Sequence, residues 1–151
     1  MTEIMTRVAT AADAAFVAQM MEQLTGRVTA AAEQTAQIEA ILAGGDRYRL
    51  LVAERGGRPA GVAFAQIGLN LCCSLSPYME VVALTVDQAA RRGGVGTALM
   101  RALEEWAAAQ GCRYITLSSQ HHRTGAHRFY EALGYDHDDA FQKISGPPIT
   151  V

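Results

Sequence analysis

The sequence has no apolar run long enough to cross a bilayer, no excess of basic charge and no usable set of cysteines. Each absence removes a class of protein. A membrane-spanning helix needs about 20 consecutive apolar residues, and every apolar stretch here is interrupted well short of that. The N-terminal "MTEIMTRVATAADAAF" lacks the basic-then-apolar layout of a secretory signal. A net charge of −2 argues against non-specific nucleic-acid binding, which rests on a basic face. The three cysteines are Cys72, Cys73 and Cys112, an odd count with two adjacent, which makes a poor disulfide framework and points to a reducing compartment. His121, His122 and His127 come without the Cys-x-x-Cys or His-Glu-x-x-His spacing that a metal site requires. The expectation is a cytoplasmic protein with no metal and with neither nucleic acid nor membrane as a partner.

What is present is half apolar and 19% charged over 151 residues, a globular composition long enough for one domain with a real core. No linker, low-complexity segment or internal repeat interrupts it, so residues 1–151 are read as a single domain. "TAADAAFVAQMMEQLTG" predicts a helix capped by Thr10 and stopped by Gly26, and "TAAAEQTAQIEAILAGG" a second closed by Gly44 and Gly45. Two apolar runs joined at Gly56-Gly57 predict a hairpin. "YMEVVALTV" has the near-continuous apolar character of a central strand. Val95, Leu99, Ala102, Leu103 and Trp106 form one helical stripe, followed by the strand "RYITLSS". A short helix over "TGAHRFYEALGY", with Ala126, Phe129, Tyr130 and Leu133 on one face, and a final strand "AFQKI" complete the series. A first strand is read at "EIMTRVA". The fold class is mixed α/β (α+β), with helices on both faces of a mixed sheet and a parallel pair formed by the strands either side of the long helix.

The most informative stretch is "VDQAARRGGVGTALMRALEEW", residues 86–106. Two arginines and three glycines crowd the turn between a strand and a helix. Backbone N–H groups at a helix N-terminus lack intrahelical partners and sit at the positive end of the helix dipole. Glycines there allow a ligand to approach those groups, and arginines add charge where a phosphate would lie. A Walker loop is excluded because no lysine follows the glycines, and a Rossmann fingerprint because Leu99 fills the third glycine position. The pattern Arg/Gln-x-x-Gly-x-Gly/Ala fits at Arg91, Gly94 and Gly96. By itself this hexapeptide is equally compatible with an ordinary strand-to-helix turn.

Followed at the right interval by "AHRFYEALGY", the stretch resembles the GNAT superfamily of N-acetyltransferases, closely over residues 80–135 and loosely in the order of the other elements. The resemblance implies a central, mostly antiparallel sheet with a splayed parallel strand pair, the acyl-CoA N-acyltransferase fold. It implies acetyl-CoA as co-substrate, with Leu84, Thr85 and Val86 supplying backbone contacts to the pantetheine arm. An N–H near Leu84 would polarise the thioester carbonyl. Arg91, Arg92, Gly93, Gly94, Val95, Gly96 and Thr97 would hold the pyrophosphate. Tyr130 aligns with the tyrosine that serves the departing thiolate, a suitable task for a phenol that is protonated at neutral pH.

Glu80 is the only acid on its strand before Asp87 and is a candidate general base through water. Strict alternation would place it on one face with Val82 and Leu84. Many relatives carry a glutamate at the position that is Val82 here. Arg123 stands in a slot often held by a pantetheine-binding asparagine, so it is read as a phosphate contact or a surface residue. Asp136, Asp138 and Asp139 would attract a cationic amine or simply be solvated. The acceptor pocket is expected between the first two helices, the "GLNLCCSLSPY" loop and the region after Tyr135, taking a small-molecule amine of aminoglycoside-like or polyamine-like type. A homodimer is a family-level expectation. The alternatives are a non-catalytic acyl-CoA sensor, a protein N-terminal or lysine acetyltransferase, and a small interaction module.

Overall fold

Two continuous apolar runs on either side of two glycines dictate the hairpin on which the sheet is built. In the computed structural model, which describes residues 3–73, 76–117, 124–137 and 141–144, β2 (Tyr48–Arg55) and β3 (Arg58–Asn70) pair antiparallel. Gly56 and Gly57 turn between them at φ 59° and 79°, the positive values that a two-residue hairpin loop requires. β1 (Ile4–Val8) pairs antiparallel with β2, and β4 (Ser76–Val86) antiparallel with β3. β5 (Tyr114–Leu117) runs parallel to β4, as the intervening helix predicts. Two short strands finish the sheet, β6 (Asp136–His137) and β7 (Phe141–Ile144), in the order β1-β2-β3-β4-β5-β7-β6. The sequence reading leaves "YDHDDAF" as an aspartate cluster open to a cationic amine or to solvent, and the short strand β6 within it is not anticipated.

Helices cover both faces. α1 (Ala14–Thr25) and α2 (Ala31–Ala43) press Val17, Met20 and Ile38 onto Leu50, Val52 and Val62. α3 (Val95–Ala109) and α4 (Thr124–Ala132) share the opposite face, where Leu99, Leu103, Trp106, Tyr130 and Leu133 join Met79, Val81 and Ile115. Leu99, Met100 and Leu103 are fully buried, each contributing about 1.5–3 kcal/mol by removal from water. α3 lies close to β3 because Gly61 has no side chain: a Cβ there would stand 3.0 Å from Val95 Cγ1 and 3.2 Å from Leu99 Cδ1. Among the described residues no helix is long and apolar enough to cross a membrane.

Two features of β4 bear on the site. The parallel pairing with β5 runs to Val81↔Leu117, the last described residue of β5, while β4 continues to Val86. Among the described residues no strand pairs with β4 on that side beyond Val81. In addition, Phe64 pairs with Ala83 but Ala65 pairs with Val81, so Val82 is an extra, bulged residue. This corrects the alternation expected for Glu80. Glu80 lies opposite Gln66, on the α1/α2 face with Val82, whereas Leu84 packs against the α3 cluster on the other face. A bulge consumes one residue without advancing the ladder, so parity inverts across it.

Candidate functional site

After β4 the chain makes a single 3-10 turn over Gln88–Ala90 and then the arginine–glycine bend. Arg92 is held at φ 66°, a left-handed conformation that costs a residue with a Cβ about 1–2 kcal/mol. Gly94 caps α3 at φ 88°. The first intrahelical bond runs from the Ala98 N–H to the Gly94 carbonyl at 3.0 Å, so the N–H groups of Val95, Gly96 and Thr97 have no partner within the helix. No side chain among the described residues caps this end. The Arg91 and Arg92 side chains are exposed beside it, and Arg91 Nε donates to the Val86 carbonyl at 3.4 Å. Three amides, a helix dipole and two guanidinium groups make this a binding surface for a polyanion.

The bend opens into a cavity of about 630 Å³ that gathers most of the residues singled out from sequence. Leu84, Thr85, Val86, Arg91, Arg92, Gly94, Val95, Gly96, Thr97 and Tyr130 all line it. Gly93 is not in that lining; it packs on the Arg55 guanidinium, which a Cβ at this position would strike. Gly96 keeps the cavity open, since its Cβ would lie 3.2 Å from Phe129 Cζ. Leu24 of α1 and Phe129 also line the cavity and were missed as site residues. Their signal was present only as membership of the apolar stripes of their helices, which reads as core.

Tyr130 is placed by the end of its helix. Gly134 turns at φ 94°, and the Tyr135 N–H returns to the Tyr130 carbonyl at 3.0 Å, closing the C-terminus of α4. The Tyr130 ring meets Phe129 edge-on at 5.1 Å and Tyr135 at 6.1 Å. Burial pushes its phenol up to about 12, so it remains a protonated donor throughout the neutral range. Tyr135 in turn donates to Glu104 Oε2 at 2.9 Å, tying α4 to α3.

The other sequence candidates fall elsewhere. Glu80 is outside this cavity, and its Oε1 accepts a 2.7 Å hydrogen bond from Gln66 Nε2. Cys112 is buried before β5, close to the start of β4, where the Arg113 N–H donates to the Pro77 carbonyl at 2.9 Å. Burial pushes its thiol up to about 11, which removes the thiolate that an acyl-cysteine route would need. Arg123, His121, His122, Asp138 and Asp139 lie outside the described residues; His127 is in α4 and Asp136 in β6. A second cavity, on the Val82 side of β4, is walled by α1 and α2.

A profile of the acetyltransferase (GNAT) family matches residues 15–135. The uncharacterised N-acetyltransferase YhfO of Bacillus subtilis (strain 168) is 31% identical over 93 residues, a match covering 61% of this chain and 61% of that protein's length. A putative acetyltransferase from Agrobacterium tumefaciens str. C58 superposes with a TM-score of 0.80 at 24% identity, covering 97% of this chain and 99% of that one. An aminoglycoside N-acetyltransferase in complex with CoA gives 0.78 at 20% identity, covering 100% and 95%.

Proposed function

Because the chain belongs to the acetyltransferase (GNAT) family, we propose that it transfers the acetyl group of acetyl-CoA to a primary amine of a small molecule by direct attack in a ternary complex. The observation that carries this reading is one cavity shared by the α3 N-terminus, by Leu84, Thr85 and Val86 of β4, and by the Tyr130 side chain. These features fit the donor in turn. The amides of Val95, Gly96 and Thr97, with Arg91 and Arg92, suit a diphosphate. The backbone of Leu84, Thr85 and Val86 suits an amide-bearing arm laid along it as an added strand. The likeness to a CoA-bound aminoglycoside N-acetyltransferase supports the same donor.

When bound, acetyl-CoA supplies the activated thioester. The protein's part is then electrostatic and protonic. An N–H near Leu84 donates to the carbonyl oxygen as negative charge gathers there, a contribution that grows only as the reaction proceeds. Tyr130 donates its proton to the departing sulfur, for which a phenol kept neutral by burial is suited. Glu80 takes the proton of the attacking amine through water, working from the α1/α2 face of β4. No step requires a metal.

Release of free thiol from acetyl-CoA against a panel of amines tests the reading, alongside calorimetric titration with CoA. Transfer to at least one amine is expected. Tight CoA binding with no transfer to any amine would instead make this a CoA sensor, and failure to bind CoA would remove the family chemistry altogether.

A further inference from the structure

Four arginines meet at the bend before α3, and a diphosphate accounts for only two of them. Arg91 and Arg92 lie in the bend itself, while Arg55 ends β2 and Arg58 begins β3. Long-range pairing brings the two sets together. The Asp87 N–H donates to the Ala60 carbonyl at 2.8 Å, which ties the entry to the bend onto the first residues of β3. Arg55 and Arg58 are direct cross-strand partners, so their side chains share one face of the hairpin. That face is the α3 side, because the Arg55 guanidinium rests against Gly93.

No acid among the described residues neutralises this cluster. None of Arg55, Arg58, Arg91 and Arg92 takes part in an ion pair there. The acids nearest along the chain are engaged elsewhere. Glu54 accepts from Arg7 at 2.7 Å on the opposite face, and Asp87 accepts from Gln23 Nε2 at 3.3 Å. Like charges set directly opposite on paired strands are destabilising. In a chain of net charge −2 they mark a local concentration of cations, not a generally basic surface. Arg58 is exposed and Arg55 half-buried, so a ligand can reach both.

The cavity sets the direction of the donor. Its thioester end belongs by Tyr130 and Leu84, and its diphosphate at the amides of Val95, Gly96 and Thr97. The nucleotide beyond the diphosphate therefore leaves over the bend, away from Tyr130. In coenzyme A that end carries a ribose 3′-phosphate, a monoester with about two negative charges at neutral pH. We infer that Arg55 and Arg58 form a subsite for this 3′-phosphate, making the β2–β3 hairpin a wall of the nucleotide end of the donor site. The subsite deepens the acetyl-CoA reading and rests on it. Its consequence is selection of the phosphorylated cofactor over the 3′-dephospho form.

Calorimetric titration with CoA and with 3′-dephospho-CoA tests it. The unmodified protein is expected to bind CoA ~10-fold more tightly, the effect of charge-assisted hydrogen bonds at a partly solvated site. Arg55→Gln and Arg58→Gln should each cut that ratio by ~3-fold, and the double variant should bring the two affinities together. Affinity for dephospho-CoA should stay as it was, since that ligand offers the hairpin no phosphate. A variant that merely deforms the bend weakens both ligands alike, and equal losses overturn the inference. Equal binding of the two ligands by the unmodified protein also overturns it, with the donor reading intact. Should Arg55→Gln fail to fold, Arg58→Gln at its exposed position gives the same measurement. Binding of neither ligand overturns the acetyl-CoA reading and the subsite with it.

Discussion

Tyr130 and Glu80 ask different things of their surroundings. Tyr130 must keep its proton until sulfur leaves, and burial between Phe129 and Tyr135 ensures that. Tyr130→Phe keeps the ring and its packing but removes the donor. Turnover is expected to fall ~10²–10⁴-fold with acetyl-CoA affinity nearly intact; steady-state kinetics and calorimetry separate the two effects, and an unchanged kcat takes Tyr130 out of the chemistry. The raised phenol also has a stability consequence. Below pH 10 it is protonated folded or unfolded; between pH 10 and about 12 the unfolded chain ionises first, so stability declines with rising pH over that window. Glu80→Gln retains an oxygen for Gln66 Nε2 but removes the carboxylate's charge and basicity. Its kcat/KM near neutrality should drop ~10²-fold, with the deficit shrinking at high pH as the amine deprotonates unaided. Superimposable pH–rate profiles for the two proteins would count Glu80 out as base.

At the scale of elements, the α3 N-terminus works because no side chain among the described residues caps it. A valine at position 96 would place its Cβ 3.2 Å from Phe129 Cζ and 3.6 Å from Val86 Cγ2, with two methyl groups in the mouth of the cavity. Gly96→Val should weaken CoA binding at least ~10-fold, about 1.4 kcal/mol, by denying close approach to the amides. Calorimetry gives the answer directly, and undiminished affinity would locate the diphosphate somewhere other than this bend. β4 contributes an edge that no other strand among the described residues pairs beyond Val81, and a bulge that inverts parity at Val82.

The whole molecule is fastened at its N-terminal edge by one ionic knot. Arg7 on β1 donates through Nη1 and Nη2 to both oxygens of Asp13 at 2.8 Å, and through Nε to Glu54 on β2 at 2.7 Å. Asp13 also accepts from the Thr10 N–H at 2.8 Å, anchoring the approach to α1. The Arg7 guanidinium, chiefly by hydrogen bonding, holds the Asp13 carboxyl below its usual 3.8 against an opposing cost of burial. A depressed carboxyl contributes stability that is complete above its unfolded value and disappears as pH falls through the folded one. Unfolding followed from pH 7 down to pH 2 should therefore show an acid loss that Asp13→Asn flattens. That variant should be about 1–2 kcal/mol less stable at pH 7, with Arg7 half-exposed to water limiting the cost. Equal stability of the two proteins at pH 7 would reduce the knot to a surface ornament.

Local chemistry was enough to find most of the elements and much of the site. The stripe from Val95 to Trp106, the glycines at 56 and 57, and the joint spacing of Arg91, Gly94, Gly96 and Tyr130 are readable because periodicity, turn conformation and helix-end polarity act within a few residues. The bulge at Val82, the face given to Glu80, the insertion of β7 between β5 and β6, and the contact of Gly93 with Arg55 left no local mark. Each of these depends on which residue stands opposite another brought from far along the chain. Register and cavity shape are settled by the packing of whole layers, and one extra residue in one strand is enough to change which side of the sheet a carboxylate serves.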